Sequence, residues 1–155
     1  MKWLIRIGIA LLVVLVGIQF IPARFNKKEE VTQMDFVKTY PAPENIVYIL
    51  KSSCYDCHSN ETVYPWYSKV QPTAWLLESH ISKAKAELNF SEFGSYSIRK
   101  QKSKLKSILS QIEKDQMPLA SYKFIHREAR LTQESKNNLT EYMNTLLDDL
   151  ENSRN

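Results

Sequence analysis

Glu44-Asn45-Ile46-Val47-Tyr48-Ile49-Leu50-Lys51-Ser52-Ser53-Cys54-Tyr55-Asp56-Cys57-His58 joins a helical pattern to a chemical one. Pro43 suits the first turn of a helix, and Ile46, Val47, Ile49 and Leu50 recur at helical spacing, which predicts a helix opening at Pro43-Glu44 and ending near Ser52. That helix delivers Cys54 at a turn. Cys54-Tyr55-Asp56-Cys57-His58 is the CxxCH spacing of covalent c-type haem attachment. Two thiols three positions apart at a turn each add to one haem vinyl group. The following imidazole is then held beneath the iron as its proximal ligand.

Other uses of the two cysteines need a different context. A thioredoxin-like dithiol requires a βαβ unit, and a disulfide between neighbours this close would constrain almost nothing. A zinc module would combine Cys54 and Cys57 with two of His58, His80 and His126, but zinc histidines usually come as a short-spaced pair and these do not.

Downstream of the motif, Pro65 and Pro72 punctuate a loop rich in aromatics. Thr73 is an expected N-cap for a second helix carrying Leu76, Leu77, His80, Ile81 and Ala84 and ending near Asn89. A third helix is expected from about Ser97 to Lys114, with Leu105, Ile108, Leu109 and Ile112 on one face, until Met117-Pro118 breaks it. Thr132 caps a final helix bearing Leu139, Tyr142, Met143, Leu146, Leu147 and Leu150. No strand-period segment and no internal repeat competes, so the expected fold class is all-α, four helices joined by long loops.

Upstream, Trp3 to Ile21 reads WLIRIGIALLVVLVGIQFI, interrupted only by Arg6 and Gln19. It is apolar on every face and lacks a small-x-small cleavage pair at its exit, which favours an uncleaved N-terminal transmembrane anchor over residues 1–23. Residues 24–43 are expected to be a linker, with a charged stretch at Asn26–Glu30 and the helix-blocking Tyr40-Pro41-Ala42-Pro43. Residues 44–152 are the haem-binding domain. Basic residues flank the apolar run on both sides, so charge does not orient it. Covalent haem attachment, which in bacteria occurs outside the cytoplasm, places the domain on the periplasmic side of the inner membrane.

Composition sets the remaining bounds. The 155 residues are 43% hydrophobic and 25% charged, as in an ordinary globular chain. With only 3 Gly and no GxGxxG or GxxxxGK[ST], nucleotide-cradling loops are not expected. The net charge of +4 is modest, and the basic run Arg99–Lys106 lacks the interleaved aromatics of a nucleic-acid platform, so it reads as a solvated helix face.

An electron-transfer haem takes a second axial ligand, and the candidates are Met117, His126, His80, Met34 and Met143. Met143 lies on an amphipathic helix face, where methionine fills core, and Met34 lies in the linker. Met117 sits in a loop stiffened by Pro118. His80 is on the apolar side of its helix. His126, after Tyr122 and Phe124, is placed to ligate, to bond a propionate or to cap the last helix. Tyr64, Trp66, Tyr67, Trp75, Phe90 and Phe93 are candidates for an apolar haem wall or for ordinary core.

The run CYDCHSNETVYPWYSKVQPTAWLLESHISKAKAELNFSEF, followed by QMPLASYKFIHREARLT, resembles the bacterial haem-binding domain family of small membrane-anchored CxxCH proteins. The resemblance covers roughly residues 30–150, through Pro65-Trp66-Tyr67, Pro72, Trp75, His80, Leu88-Asn89-Phe90-Ser91, Met117-Pro118, Tyr122, His126, Ala129 and Leu131. Leu119 departs from it, where a second proline is expected. What the resemblance implies is a cytochrome-c-like helical domain with one covalent haem c on Cys54 and Cys57, ligated by His58. The expectation is therefore a membrane-anchored electron carrier, not an enzyme, with a redox partner protein and no nucleic acid. The alternatives are a haem sensor or peroxidase-like enzyme with an open sixth position, and the zinc module.

Overall fold

The computed structural model describes residues 1–26 and 32–152, and among them every regular element is helical. In chain order these are α1 (Lys2–Ile18), α2 (Phe36–Thr39), α3 (Glu44–Leu50), α4 (Asp56–His58), α5 (Thr73–Glu87), α6 (Ile98–Glu113), α7 (Ala120–Ile125) and α8 (Gln133–Asn152). A wide π-type turn, Lys51–Tyr55, joins α3 to α4. Single 3₁₀ turns occupy Trp66–Lys69, Phe90–Ser95 and Arg127–Ala129.

The four expected helices are present as α3, α5, α6 and α8, with changed ends. The helix expected to stop near Ser52 runs on through the π-type turn to His58, so the whole motif is helical. Pro72, not Thr73, holds the N-cap position of α5, because the Thr73 hydroxyl donates backwards to the carbonyls of Tyr67 and Val70. This helix ends at Glu87, where Asn89 turns its side chain to accept from Ser91 N–H and starts the next turn. Ser97 accepts from Lys100 N–H at 3.4 Å, and Thr132 Oγ1 from Ser135 N–H at 3.1 Å, so α6 and α8 are both capped by hydroxyls. Short α2 and α7 lie in stretches too brief for a periodicity to register.

The core forms where α6 and α3 pack on α8, around Leu50, Leu105, Leu139 and Met143, all fully buried. Phe36 completes it, with ring centroids 4.9 Å from Phe93 and 5.5 Å from Phe90 in edge-to-face contact. Gly94 lets this layer close: its N–H donates to Met34 C=O at 2.8 Å, and a Cβ there would collide with Thr39 Oγ1. Buried Gln101 is satisfied by the Tyr40 hydroxyl and by the carbonyls of Phe93 and Tyr96.

Two expectations change at the N-terminus. The apolar helix α1 has 17 residues, none of them buried. That is about 26 Å of helix against a hydrocarbon core of about 30 Å. No helix among the described residues is long and apolar enough to cross a membrane, so the transmembrane helix expected over residues 1–23 is not supported. The helix stops at Ile18. Gln19 and Gln71 then exchange hydrogen bonds at 3.0 and 3.2 Å, and Gln71 also donates to Ile21 C=O.

Residues 24–43 do not behave as a free linker where they are described. The Asn26 side chain donates to Ser59 C=O and Thr62 Oγ1 and accepts from Lys85, while Phe36 is a centre of the core. Most of the charged stretch, residues 27–30, lies outside the described residues.

Candidate functional site

The π-type turn sets the phase of the motif, and wide turns of this kind recur at functional sites in helices. It places Cys54, Cys57 and His58 along one wall of a cavity of about 470 Å³. The other walls come from α5, α6 and the segment Met117–Tyr122, with Leu88, Phe90, Ile108 and Ile112 among the apolar lining. This volume lies within the range of small-molecule and cofactor sites.

His58 is oriented by a backbone partner. Its Nδ1 lies 3.0 Å from Leu88 C=O, and since a carbonyl only accepts, Nδ1 carries the proton. The unprotonated nitrogen is Nε2, the form in which imidazole binds a metal. Burial holds the His58 pKa below the ordinary histidine value; the carbonyls of Leu88 and Ala84 oppose the shift, and the nearby Lys104 charge adds to it. Burial also pushes the Cys54 thiol up to about 12, helped by Cys57, and Cys57 up to about 11, helped by Asp56. Both sulfurs are thus held as neutral thiols, with the free thiolate disfavoured.

Of the candidate sixth ligands, Met117 and His80 line the cavity with His58, and His126 does not. The His126 ring stacks behind Tyr122, centroids 4.3 Å apart at 18°, and both of its nitrogens are engaged: Nε2 with the Tyr67 hydroxyl at 2.8 Å and Nδ1 with Glu128 at 3.0 Å. Met143 is fully buried core, and Met34 is half exposed beside Gly94. The loop bearing Met117 leaves α6 through a Schellman turn, with Gln116 N–H on Gln111 C=O, Asp115 N–H on Ile112 C=O, and Asp115 at φ 55°. It is tied to the motif on the far side by the Tyr122 hydroxyl, which donates to Asp56 Oδ2 at 2.6 Å.

Two alternatives left open by the sequence are separated by the structure. Among the described residues no three His, Cys, Asp or Glu side chains are grouped to hold a metal ion, so the Cys54/Cys57 zinc module has no site. Its far histidine, His126, is held by Tyr67 and Glu128 instead. Of the aromatics left between haem wall and ordinary core, Tyr64, Trp66, Tyr67, Trp75, Phe90 and Phe93, only Phe90 lines the cavity; Phe93 is fully buried core, and Trp66 is 80% exposed. Aliphatic side chains of α5 and α6 take the wall role. Sequence reasoning placed Ala84 on the His80 face and Tyr122 in the resemblance without a site role, and it missed Lys104 and Gln111, which share the helical phase of Ile108, the signal available.

The profile of the haem-binding domain family matches residues 13–145, and the chain belongs to that family. No curated protein and no solved structure matches it. Haem is the cofactor this membership supplies, and the cavity fits one: an apolar floor, a neutral imidazole fixed through Nδ1, and two neutral sulfurs share its walls.

Proposed function

We propose that the protein is a monohaem c-type electron carrier, with Cys54 and Cys57 as the covalent attachment points, His58 Nε2 as proximal ligand and Met117 as the sixth. The observation that carries this reading is the 3.0 Å Nδ1 contact from His58 to Leu88, on a cavity shared with both cysteines and Met117. When bound, haem supplies one-electron redox chemistry. The chain's own residues do the rest. Leu88 C=O fixes the imidazole tautomer, the apolar lining keeps water from the site, and the Tyr122–Asp56 bond draws the Met117 segment toward the motif. Transfer is outer-sphere, no residue acts as a catalytic acid or base, and the partner is a redox protein.

In this proposal α1, apolar and exposed on every face, tethers the chain to the inner membrane, with the domain on the periplasmic side. Orientation follows from covalent haem attachment outside the cytoplasm. Haem staining after denaturing electrophoresis tests the attachment: the wild type stains, and Cys54→Ala with Cys57→Ala does not. A red wild type that loses its haem on denaturation would keep the cofactor and remove the c-type assignment.

One observation favours a second reading. His80 lines the cavity and has no hydrogen-bond partner among the described residues, as suits a distal histidine in a sensor or peroxidase-like site. Rapid binding of cyanide or carbon monoxide to the wild type, at a rate that His80→Ala changes without abolishing binding, would select it over the carrier.

A further inference from the structure

The cavity walls are graded across two helices. With about 100° between successive residues, α5 presents Ala84 next to its buried side, then His80, Glu87 and Lys83 progressively further toward solvent, and the buried Leu88 follows its end. On α6 the same order runs from Ile112 and Ile108 through Lys104 and Gln111 to Ser107. The mouth therefore opens between the polar edges of α5 and α6, and its floor is apolar. Lys83 and Lys104 are the lysines of the lining, and Glu87 is its carboxylate.

Lys104 and Glu87 lie 3.6 Å apart, with the lysine side chain 23% exposed and the glutamate 81% exposed. A pair so unequal is weakly held, because the carboxylate keeps most of its water. Lys104, by contrast, lines the cavity and is mostly withdrawn from solvent, as a lysine is when its long stem packs on apolar surface and its charged end stays near water. A flat apolar ligand entering this cavity buries its rings against Leu88, Ile108 and Ile112 and leaves its charged groups at the rim.

We infer that the mouth of the cavity is a carboxylate site, in which Lys104 and Lys83 receive the two carboxylates of a porphyrin and Glu87 gives up its contact with Lys104. The inference rests on the assignment of this cavity to haem. It goes beyond that assignment by fixing which edge of the ligand faces solvent and which residues hold it, and it takes the basic residue Lys104 out of the solvated helix face expected from sequence.

The test uses the full chain carrying Cys54→Ser and Cys57→Ser, so that binding is reversible, titrated with iron protoporphyrin and with its dimethyl ester. The ester keeps the rings and removes both charges. The free diacid should bind about tenfold more tightly than the ester, as expected for two partly exposed ion pairs. Adding Lys83→Met and Lys104→Met should bring that ratio close to one, and Lys104→Arg in place of Lys104→Met should restore most of it. A change in overall stability would weaken both ligands alike and leave the ratio untouched. Equal binding of acid and ester to the parent, or a ratio unmoved by the double lysine change, overturns the carboxylate site alone. Failure of both porphyrins to bind overturns the haem assignment of the cavity, and the carboxylate site falls with it.

Discussion

The two sides of the cavity are built by different means. The wall bearing Cys54, Cys57 and His58 is one helical run of fifteen consecutive residues, α3 to α4, with the His58 ring fixed by Leu88 C=O. The wall bearing Met117 is a loop between α6 and α7, positioned by a Schellman turn, by the Tyr122–Asp56 bond and by the stack of Tyr122 on His126. A short helical motif places its side chains through the backbone ladder. A loop ligand depends on contacts made far away in sequence, so the Met117 side should be the one that yields first.

The largest expected effect breaks the comparison outright. Met117→Ala should abolish thioether ligation, seen as loss of the weak sulfur-to-iron band at the red end of the oxidised spectrum, while covalent haem stays complete. His126→Ala should leave that band in place, because His126 lies outside the cavity. If His126→Ala or His80→Ala opens the coordination site and Met117→Ala changes nothing, the sixth ligand has been misassigned.

Next in size is the core behind both walls. Leu105 is fully buried between α6 and the core, and Leu105→Ala should cost about 2–5 kcal/mol, read from the denaturant midpoint. Both walls should loosen together, without preference for the Met117 side.

Tyr122→Phe sharpens the contrast instead. It removes the hydroxyl that donates to Asp56 at 2.6 Å and keeps the ring stacked on His126. A hydrogen bond to a carboxylate contributes about 1.5–3 kcal/mol when buried, and this one is only partly so, which puts the loss near the lower end. Imidazole should then displace the sixth ligand about tenfold faster, as expected when about 1.4 kcal/mol of that restraint is lost, with the covalent haem stain unchanged. Equal displacement rates would show that the latch does not hold the loop. The smallest effect is at α8: Thr132→Ala removes the acceptor for Ser135 N–H and should lower stability by about 1 kcal/mol, with no change in the haem spectrum.

Much of this was legible in the chain. Leu105, Ile112, Leu139 and Met143 announce their burial by helical spacing, and Thr132 its cap by residue type. Each is a property of residues a few positions apart, where backbone geometry is nearly the same in any fold. Burial of the N-terminal segment was not legible. Asn26 is held by Ser59, Thr62 and Lys85, and Phe36 by Phe90 and Phe93, so a stretch with linker-like composition is stapled to the domain by partners it does not name.

The sequence by itself determined that the domain is all-α, which helices carry its apolar faces and where the CxxCH spacing falls along the chain. Only the tertiary structure decided that His58 presents Nε2, that Met117 and His80 reach the cavity while His126 is held by Tyr67 and Glu128, and that of the nearby aromatics Phe90 and Tyr122 line it among mostly aliphatic residues. The physical reason is range. Helical periodicity and thiol spacing are set within one or two turns, whereas a histidine tautomer or a loop ligand is fixed by which carbonyl, hydroxyl or ring the packed chain brings against it.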